Sequence, residues 1–154
     1  MAGRATPPVK TFTIEQANAM LPLVRAITSD LTNLAREIVE RRQQLSQLTA
    51  GRKSKAGDPY SEELVQMEAD LERSVERVHG YLQELTDLGV EPKGAVEGLV
   101  DFPCKMDGRV VYLCWRLGEA EVLHWHEINA GFAGRQSLVA GSSTGEREKT
   151  FLAE

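Results

Sequence analysis

The chain lacks features that mark several classes of protein. No apolar run approaches the roughly 20 residues that a transmembrane helix needs, so we expect no membrane partner. Residues 1–10 hold no apolar stretch of the secretory type, which favours a cytoplasmic location. The net charge is −5 and no basic face stands out. Nucleic acid is therefore not an expected partner, because its binding relies on Lys and Arg neutralising phosphates.

Cysteine is also scarce. Cys104 and Cys114 are the two in the chain, too few for a disulfide scaffold. In the cytoplasm they would be reduced, which leaves thiol or metal chemistry. The composition, 42% hydrophobic and 27% charged over 154 residues, is typical of one globular domain. We expect a flexible lead at 1–11, a folded part at 12–139 and a polar tail at 140–154.

Residues 12–89 carry the pattern of a long antiparallel helical hairpin. Thr13 and Gln16 have the spacing of a capping box at the first helix, and Pro22 either kinks that helix or opens a second one. Thr49–Pro59 is a polar turn, and Gly89 ends the second helix. Apolar residues at heptad spacing predict two coiled-coil-like seams: Val24, Ile27, Leu31, Leu34, Ile38, Leu45 and Leu48, then Leu64, Met67, Leu71, Val78, Leu85 and Leu88.

Residues 95–128 predict a small three-stranded antiparallel β-meander. The strand-like runs are Gly98–Cys104, Arg109–Leu117 and Glu121–Glu127, and Asp107-Gly108 is a two-residue hairpin signal between the first two. A three-residue second turn at 118–120 gathers one apolar face, whereas a two-residue turn would move both histidines onto it. That face comprises Val100, Phe102, Val111, Leu113, Trp115, Leu117, Leu123 and Trp125.

The apolar face must pack on the hairpin, so the expected fold is α+β. A Gly-rich loop at 129–139 follows the sheet. The opposite, polar face collects Asp101, Tyr112, Cys114, Arg116, His124 and His126. In the expected register Asp101, Cys114 and His124 form one row across the strands, and Tyr112 and His126 form the next.

This polar face is the candidate site. Carboxylate, thiolate and imidazole are ligands of zinc and iron, so the metal-ligand candidates are Asp101, Cys114, His126, Glu127 and His124. Candidates for holding a small anion or other ligand are Arg135, Arg116, Tyr112 and Glu119. Arg135 could clamp a carboxylate or phosphate with its planar guanidinium, or form a salt bridge to Glu127 or Glu119.

Several other interpretations stay open. Cys114 with a histidine base could serve covalent catalysis, so the residues define no single reaction. The face could instead be solvated, or form a polar network at a partner surface. Alternatively, the chain is a non-catalytic interaction module. Helices of this length run about 40 Å against about 23 Å for a seven-residue strand, so the hairpin would project and form a homodimer.

Seven short motifs are distinctive in combination: Phe12-Thr13, Glu15-Gln16-Ala17-Asn18, Leu21-Pro22, Gly98-Leu99-Val100-Asp101-Phe102-Pro103, Leu113-Cys114-Trp115-Arg116-Leu117-Gly118-Glu119, Trp125-His126-Glu127 and Gly131-Phe132-Ala133-Gly134-Arg135. On these motifs, residues 12–135 resemble an uncharacterised bacterial family catalogued as domain of unknown function 2203. The resemblance brings no activity with it. It implies that the family's pattern includes Asp101, Cys114, Glu119, His126, Glu127 and Arg135, and does not include Cys104 or His124.

Overall fold

A computed structural model describes residues 10–50 and 59–138. The predicted tail and nearly all of the predicted lead lie outside these ranges, as do residues 51–58 of the predicted turn. Two helices, α1 (Ile14–Thr49) and α2 (Pro59–Asp87), form the hairpin. The capping box is confirmed: the Gln16 backbone N–H donates to the Thr13 hydroxyl at 3.0 Å, and the Thr13 N–H donates to Gln16 Oε1 at 2.9 Å. Pro22 lies inside α1 and opens no second helix.

The seams of the hairpin are less regular than the heptad pattern predicted. In α1 the seam is buried as far as Ile38, whereas Leu45 and Leu48 beyond it are half-buried. In α2 the polar Ser74 is buried at a seam position while Met67 is only half-buried. A uniform coiled coil therefore does not describe the pair. No helix in the described part of the chain is long and apolar enough to span a membrane.

The sheet has five antiparallel strands, so the prediction of three was incomplete. They lie in chain order: β1 (Glu91–Gly94), β2 (Leu99–Met106), β3 (Arg109–Arg116), β4 (His124–His126) and β5 (Gln136–Ser137). The two additional strands are the edges. β1 contains Pro92 and Gly94, which are depleted in strands and tolerated at edges, and β5 has only two residues.

The predicted register of the three central strands is confirmed. Asp107 and Gly108 both have positive φ, 53° and 79°, as the two-residue hairpin requires. Asp101 pairs with Cys114, Cys114 with His124 and Tyr112 with His126. All side-chain directions on these strands follow from those pairings, because alternate residues point to opposite faces.

The third predicted strand is shorter than expected. β4 covers three residues, and the chain before it is irregular. The alternation of side chains consequently fails there: Val122 is buried in the core, whereas the predicted core residue Leu123 is only half-buried. The expected loop at 129–139 contains a 3-10 turn at Phe132–Gly134 as well as β5.

One hydrophobic core lies between the helices and the apolar face of the sheet. Its members include Leu21, Val24, Ile27, Leu31, Leu85, Val100, Phe102, Val111, Leu113, Trp115 and Trp125. The ring of Phe12 meets that of Phe102 edge-on, with centroids 5.4 Å apart. Packing of the helices on this face leaves the other face of the sheet to the residues that follow β4.

Candidate metal-binding site

Three potential metal ligands meet on the polar face, one from each central strand. Asp101 lies on β2, Cys114 on β3 and His126 on β4. One ligand atom from each lies within 4.8 Å of the other two. The three residues are 2%, 1% and 2% exposed, so they do not form a solvated surface. We call this group the Asp-Cys-His triad.

Hydrogen bonds orient the imidazole of His126. Its Nδ1 lies 2.7 Å from the backbone oxygen of Glu127. A carbonyl oxygen only accepts, so Nδ1 carries the proton and donates it. Nε2 lies 3.0 Å from Asp101 Oδ2. The ring therefore presents Nε2 to the triad, with its orientation fixed from behind by the main chain.

The electrostatics of the triad disfavour free charge. Burial raises the pKa of Asp101, against the opposing effect of the neighbouring His126. Burial, together with the charge of Asp101, raises the pKa of Cys114 to about 12. Cys114 is therefore a thiol at neutral pH, whereas nucleophilic cysteines have a depressed pKa. This environment does not favour the interpretation of Cys114 as a catalytic nucleophile.

A pocket of about 280 Å³ opens onto the triad. Leu99, Ile128 and Phe132 supply apolar walls, and Lys93 and Tyr112 supply polar ones. Ile128, Gly131 and Phe132, from the segment after β4, line the pocket together with the triad. The triad is thus buried, and the pocket gives access to it.

Lys93 was missed from the sequence because β1 was not recognised as a strand. Glu91, also on β1, accepts a hydrogen bond from the Tyr112 hydroxyl at 2.9 Å and pairs with Lys93 Nζ at 3.0 Å. The Lys93 ammonium also lies 4.7 Å from the centroid of the Tyr112 ring. The one signal for β1 in the sequence was that Glu91 and Lys93 are two residues apart and so point to the same face of a strand. Pro92 between them argues against a strand, which hid that signal.

A second polar group, made of Glu119, His124 and Arg135, lies beside the triad. Arg135 Nη2 donates to Glu119 Oε1 at 2.8 Å and to His124 Nδ1 at 2.9 Å. Of the two roles considered for Arg135, the salt bridge to Glu119 is the one found. Burial and the charge of Arg135 lower the pKa of His124, which keeps the ring neutral as an acceptor.

The remaining candidates have other partners. The Glu127 carboxylate pairs with Arg109 at 2.6 Å on the surface, and its contribution near the triad is its backbone oxygen. Arg116 and Arg135 both lie over the Phe132 ring, at 5.8 and 4.5 Å from its centroid. The structure thus brings together three of the five metal-ligand candidates and places Glu127 and His124 in separate ion pairs or hydrogen bonds.

Comparisons with known proteins identify a family and nothing more specific. No curated protein matches the chain significantly, and no solved structure does. The family described as "Uncharacterized conserved protein (DUF2203)" matches residues 10–138, which include both helices, the whole sheet and the triad. The chain belongs to this family of domain of unknown function 2203.

Proposed function

We propose that the Asp-Cys-His triad binds a divalent transition metal, with zinc as the best fit and iron as the alternative. The observation that supports this most directly is the convergence of three different ligand types within 4.8 Å, from three strands, in a buried position. A thiolate ligand selects soft or borderline metals over Mg²⁺ and Ca²⁺. Aspartate, cysteine and histidine each supply ligand atoms that zinc accepts.

The spacing of the triad is compatible with coordination after a small adjustment, in which the closest pair of ligand atoms moves apart and the wider pairs move together. Ligands bound tetrahedrally at standard zinc distances lie roughly 3.3–3.7 Å apart. The Asp101 and His126 atoms are already 3.0 Å apart, and the whole group spans at most 4.8 Å. Side-chain rotations that shift the ligand atoms by a few tenths of an ångström to about 1 Å would allow all three to bind one ion.

The surroundings of His126 also favour a metal. Metal-bound histidines commonly donate their second ring nitrogen to a backbone carbonyl, which fixes the ring and its tautomer. The Nδ1 contact to the Glu127 oxygen has that form. Three protein ligands would leave one tetrahedral position for a molecule entering from the pocket, as in zinc sites that handle a substrate rather than only stabilise a fold.

Cobalt(II) titration tests the proposal, because a thiolate on Co(II) gives an intense sulfur-to-metal charge-transfer band. The protein is purified without a metal-affinity step and stripped with a chelator. We expect one equivalent of Co(II) to give the band in the wild type and in Cys104→Ala, and no band in Cys114→Ala. Cys104 is the matched control, since it is also a buried strand cysteine but lies in the apolar core.

Stability gives a second measurement that does not depend on colour. Zinc at about 100 times its Kd should stabilise the wild type by about 2.7 kcal/mol. Cys114→Ala should gain far less at the same zinc concentration. A wild type that takes up no cobalt or zinc would leave the triad as a hydrogen-bonded buried network, and the metal proposal would be abandoned.

A second proposal concerns self-association through the hairpin. The 36 residues of α1 extend about 54 Å, whereas the eight residues of β2 extend about 27 Å. Toward the tip of the hairpin the seam residues Leu45, Leu48, Met67 and Leu71 are only half-buried, although Leu64 is buried. Val39 and Val65 are 45% and 63% exposed. We infer that a second copy covers this part of the hairpin in a homodimer.

Sedimentation at micromolar concentration tests this homodimer. We expect a dimer for the wild type and weaker association for Val65→Lys, because the substitution places a charge on the proposed interface. Val96→Lys is the control, since Val96 is exposed near the sheet. A wild type that stays monomeric would overturn this second proposal without affecting the first.

A further inference from the structure

The pocket beside the triad has a chemistry of its own. Its apolar walls are Leu99, Ile128 and Phe132, and Lys93 brings the one ammonium group among the described residues that line it. Ile128 and Phe132 are large hydrophobic side chains left 50% and 37% exposed. Exposed apolar groups that converge beside a buried polar cluster are typical of a wall that a ligand covers.

Lys93 keeps hydrogen-bonding capacity for a ligand. Its ammonium has three donors and no acceptor, and the ion pair with Glu91 uses one of them. Glu91 itself is shared, since it also accepts from the Tyr112 hydroxyl. Because that hydroxyl already donates to Glu91, it can offer a ligand only its lone pairs. The donor available on this wall is therefore Lys93.

The charge balance disfavours a ligand with more than one negative charge, because the site with its metal is already neutral. A divalent metal would be balanced by the Asp101 carboxylate and a Cys114 thiolate, and Lys93 is balanced by Glu91. A monoanion can reach both the metal and the ammonium. A dianion would bring a second charge into a site whose other walls are apolar, where an unpaired charge is costly.

Size sets a further limit. A volume of about 280 Å³ corresponds to roughly nine water-sized groups at about 30 Å³ each. The pocket is at the small end for ligand sites, so nucleotides and peptides are too large. A short chain or single ring attached to one polar head fits the available space.

We propose that this pocket binds a small monocarboxylic acid with an apolar tail. One carboxylate oxygen takes the fourth position on the metal, the carboxylate also accepts from the Lys93 ammonium, and the tail lies against Leu99, Ile128 and Phe132. This inference rests on the proposed metal site, since the metal and Lys93 together recognise the carboxylate.

The experiment titrates the Co(II)-loaded full chain with pentanoate, and in parallel with pentan-1-ol and inorganic phosphate. Pentanoate is expected to change the visible spectrum saturably, with the alcohol and phosphate binding at least tenfold more weakly. Loss of one hydrogen bond to a charged group corresponds to a tenfold to hundredfold weaker affinity, roughly, so Lys93→Gln should weaken pentanoate by that factor. Lys105→Gln is the matched control, because Lys105 is exposed on β2 and outside the pocket.

Binding of the tail has its own measurement. Phe132→Ala should weaken pentanoate more than acetate, because acetate has almost no tail to lose contact with this ring. Equal binding of phosphate and pentanoate, or no effect of Lys93→Gln, would overturn the carboxylate proposal. If the cobalt-loaded protein does not bind pentanoate, the carboxylate proposal is overturned and the metal proposal is retained. Protein that binds neither cobalt nor pentanoate would overturn both.

Discussion

At the centre of the sheet, opposite kinds of side chain are buried on the two faces. On the face toward the helices, Phe102 and Trp115 are fully buried in an apolar core. On the other face, Asp101 and His126 on β2 and β4 are almost as inaccessible. Apolar burial is favourable wherever it occurs, whereas buried polar groups cost free energy unless each has a partner. The first face therefore stabilises the fold through apolar burial, whereas the second depends on keeping each buried polar group paired, as Asp101 and His126 are at 3.0 Å.

The largest expected effect is on the apolar face. Trp115→Ala should lower the free energy of unfolding by about 3–5 kcal/mol, because it removes a fully buried ring. It also removes the hydrogen bond from Trp115 Nε1 to the Glu119 backbone oxygen, 3.0 Å long. Urea unfolding measures the change, and Val96→Ala at an exposed position near the sheet should stay within about 0.5 kcal/mol. A loss below 1 kcal/mol would mean that this face does not carry the stability assigned to it.

A smaller loss is expected for the polar face. In chelator-treated protein, Asp101→Ala should cost about 1–3 kcal/mol, because it leaves the Nε2 of His126 buried without its partner. His126→Ala should cost a similar amount for the reciprocal reason. The double variant should be less destabilised than the sum of the two, with a coupling of about 0.5–3 kcal/mol. Additive losses would show that the contact contributes nothing of its own.

The next smaller effect is a pH-dependent contribution to the stability of the fold from Glu119, in the polar group beside the triad. Burial alone would raise the pKa of Glu119, but hydrogen bonds from Arg135 and the Arg116 backbone outweigh it, and the pKa falls below its usual 4.5. A lowered folded-state pKa stabilises the fold above the unfolded-state pKa, and this contribution is lost as the pH falls through the folded-state value. Near neutral pH, Glu119→Gln should therefore be less stable than the wild type by about 1 kcal/mol.

Urea unfolding at a series of pH values tests that prediction. The gap between the wild type and Glu119→Gln should be constant above about pH 5 and shrink below the usual carboxyl pKa of 4.5. Asp107→Asn provides a control at an exposed turn. A gap that widens toward acid would mean that the Glu119 carboxylate is destabilised in the fold and that Arg135 is held by something else.

The central sheet could be predicted because its register depends on local signals. Asp107-Gly108 fixes the first hairpin, and the requirement for one apolar face fixes the phase of β4 relative to β3. Those two constraints place Asp101, Cys114 and His126 on one face, where they are found. The edge strands gave no such signal, because β1 carries Pro92 and Gly94 and β5 is two residues long.

The sequence pattern did not predict which side chains of the polar face form hydrogen bonds with one another. Register places His124, not His126, in the row of Asp101 and Cys114, yet the hydrogen bond runs diagonally from Asp101 to His126. Sheet twist and the choice of rotamer decide such diagonal contacts. His124 instead faces Arg135, which returns from 11 residues further along the chain, a contact that no local spacing encodes.

The smallest expected effect concerns Glu127, which connects the surface to the triad through its main chain. Its carboxylate forms an exposed ion pair with Arg109, and exposed pairs contribute about 0–1 kcal/mol. Its backbone oxygen accepts from His126 Nδ1 and is retained in any substitution. Glu127→Gln should therefore change stability by less than about 1 kcal/mol and leave the Co(II) affinity unchanged, as measured by the charge-transfer band. A tenfold weaker affinity would place this carboxylate on the metal, and the polar face would then have four protein ligands and no position for a molecule from the pocket.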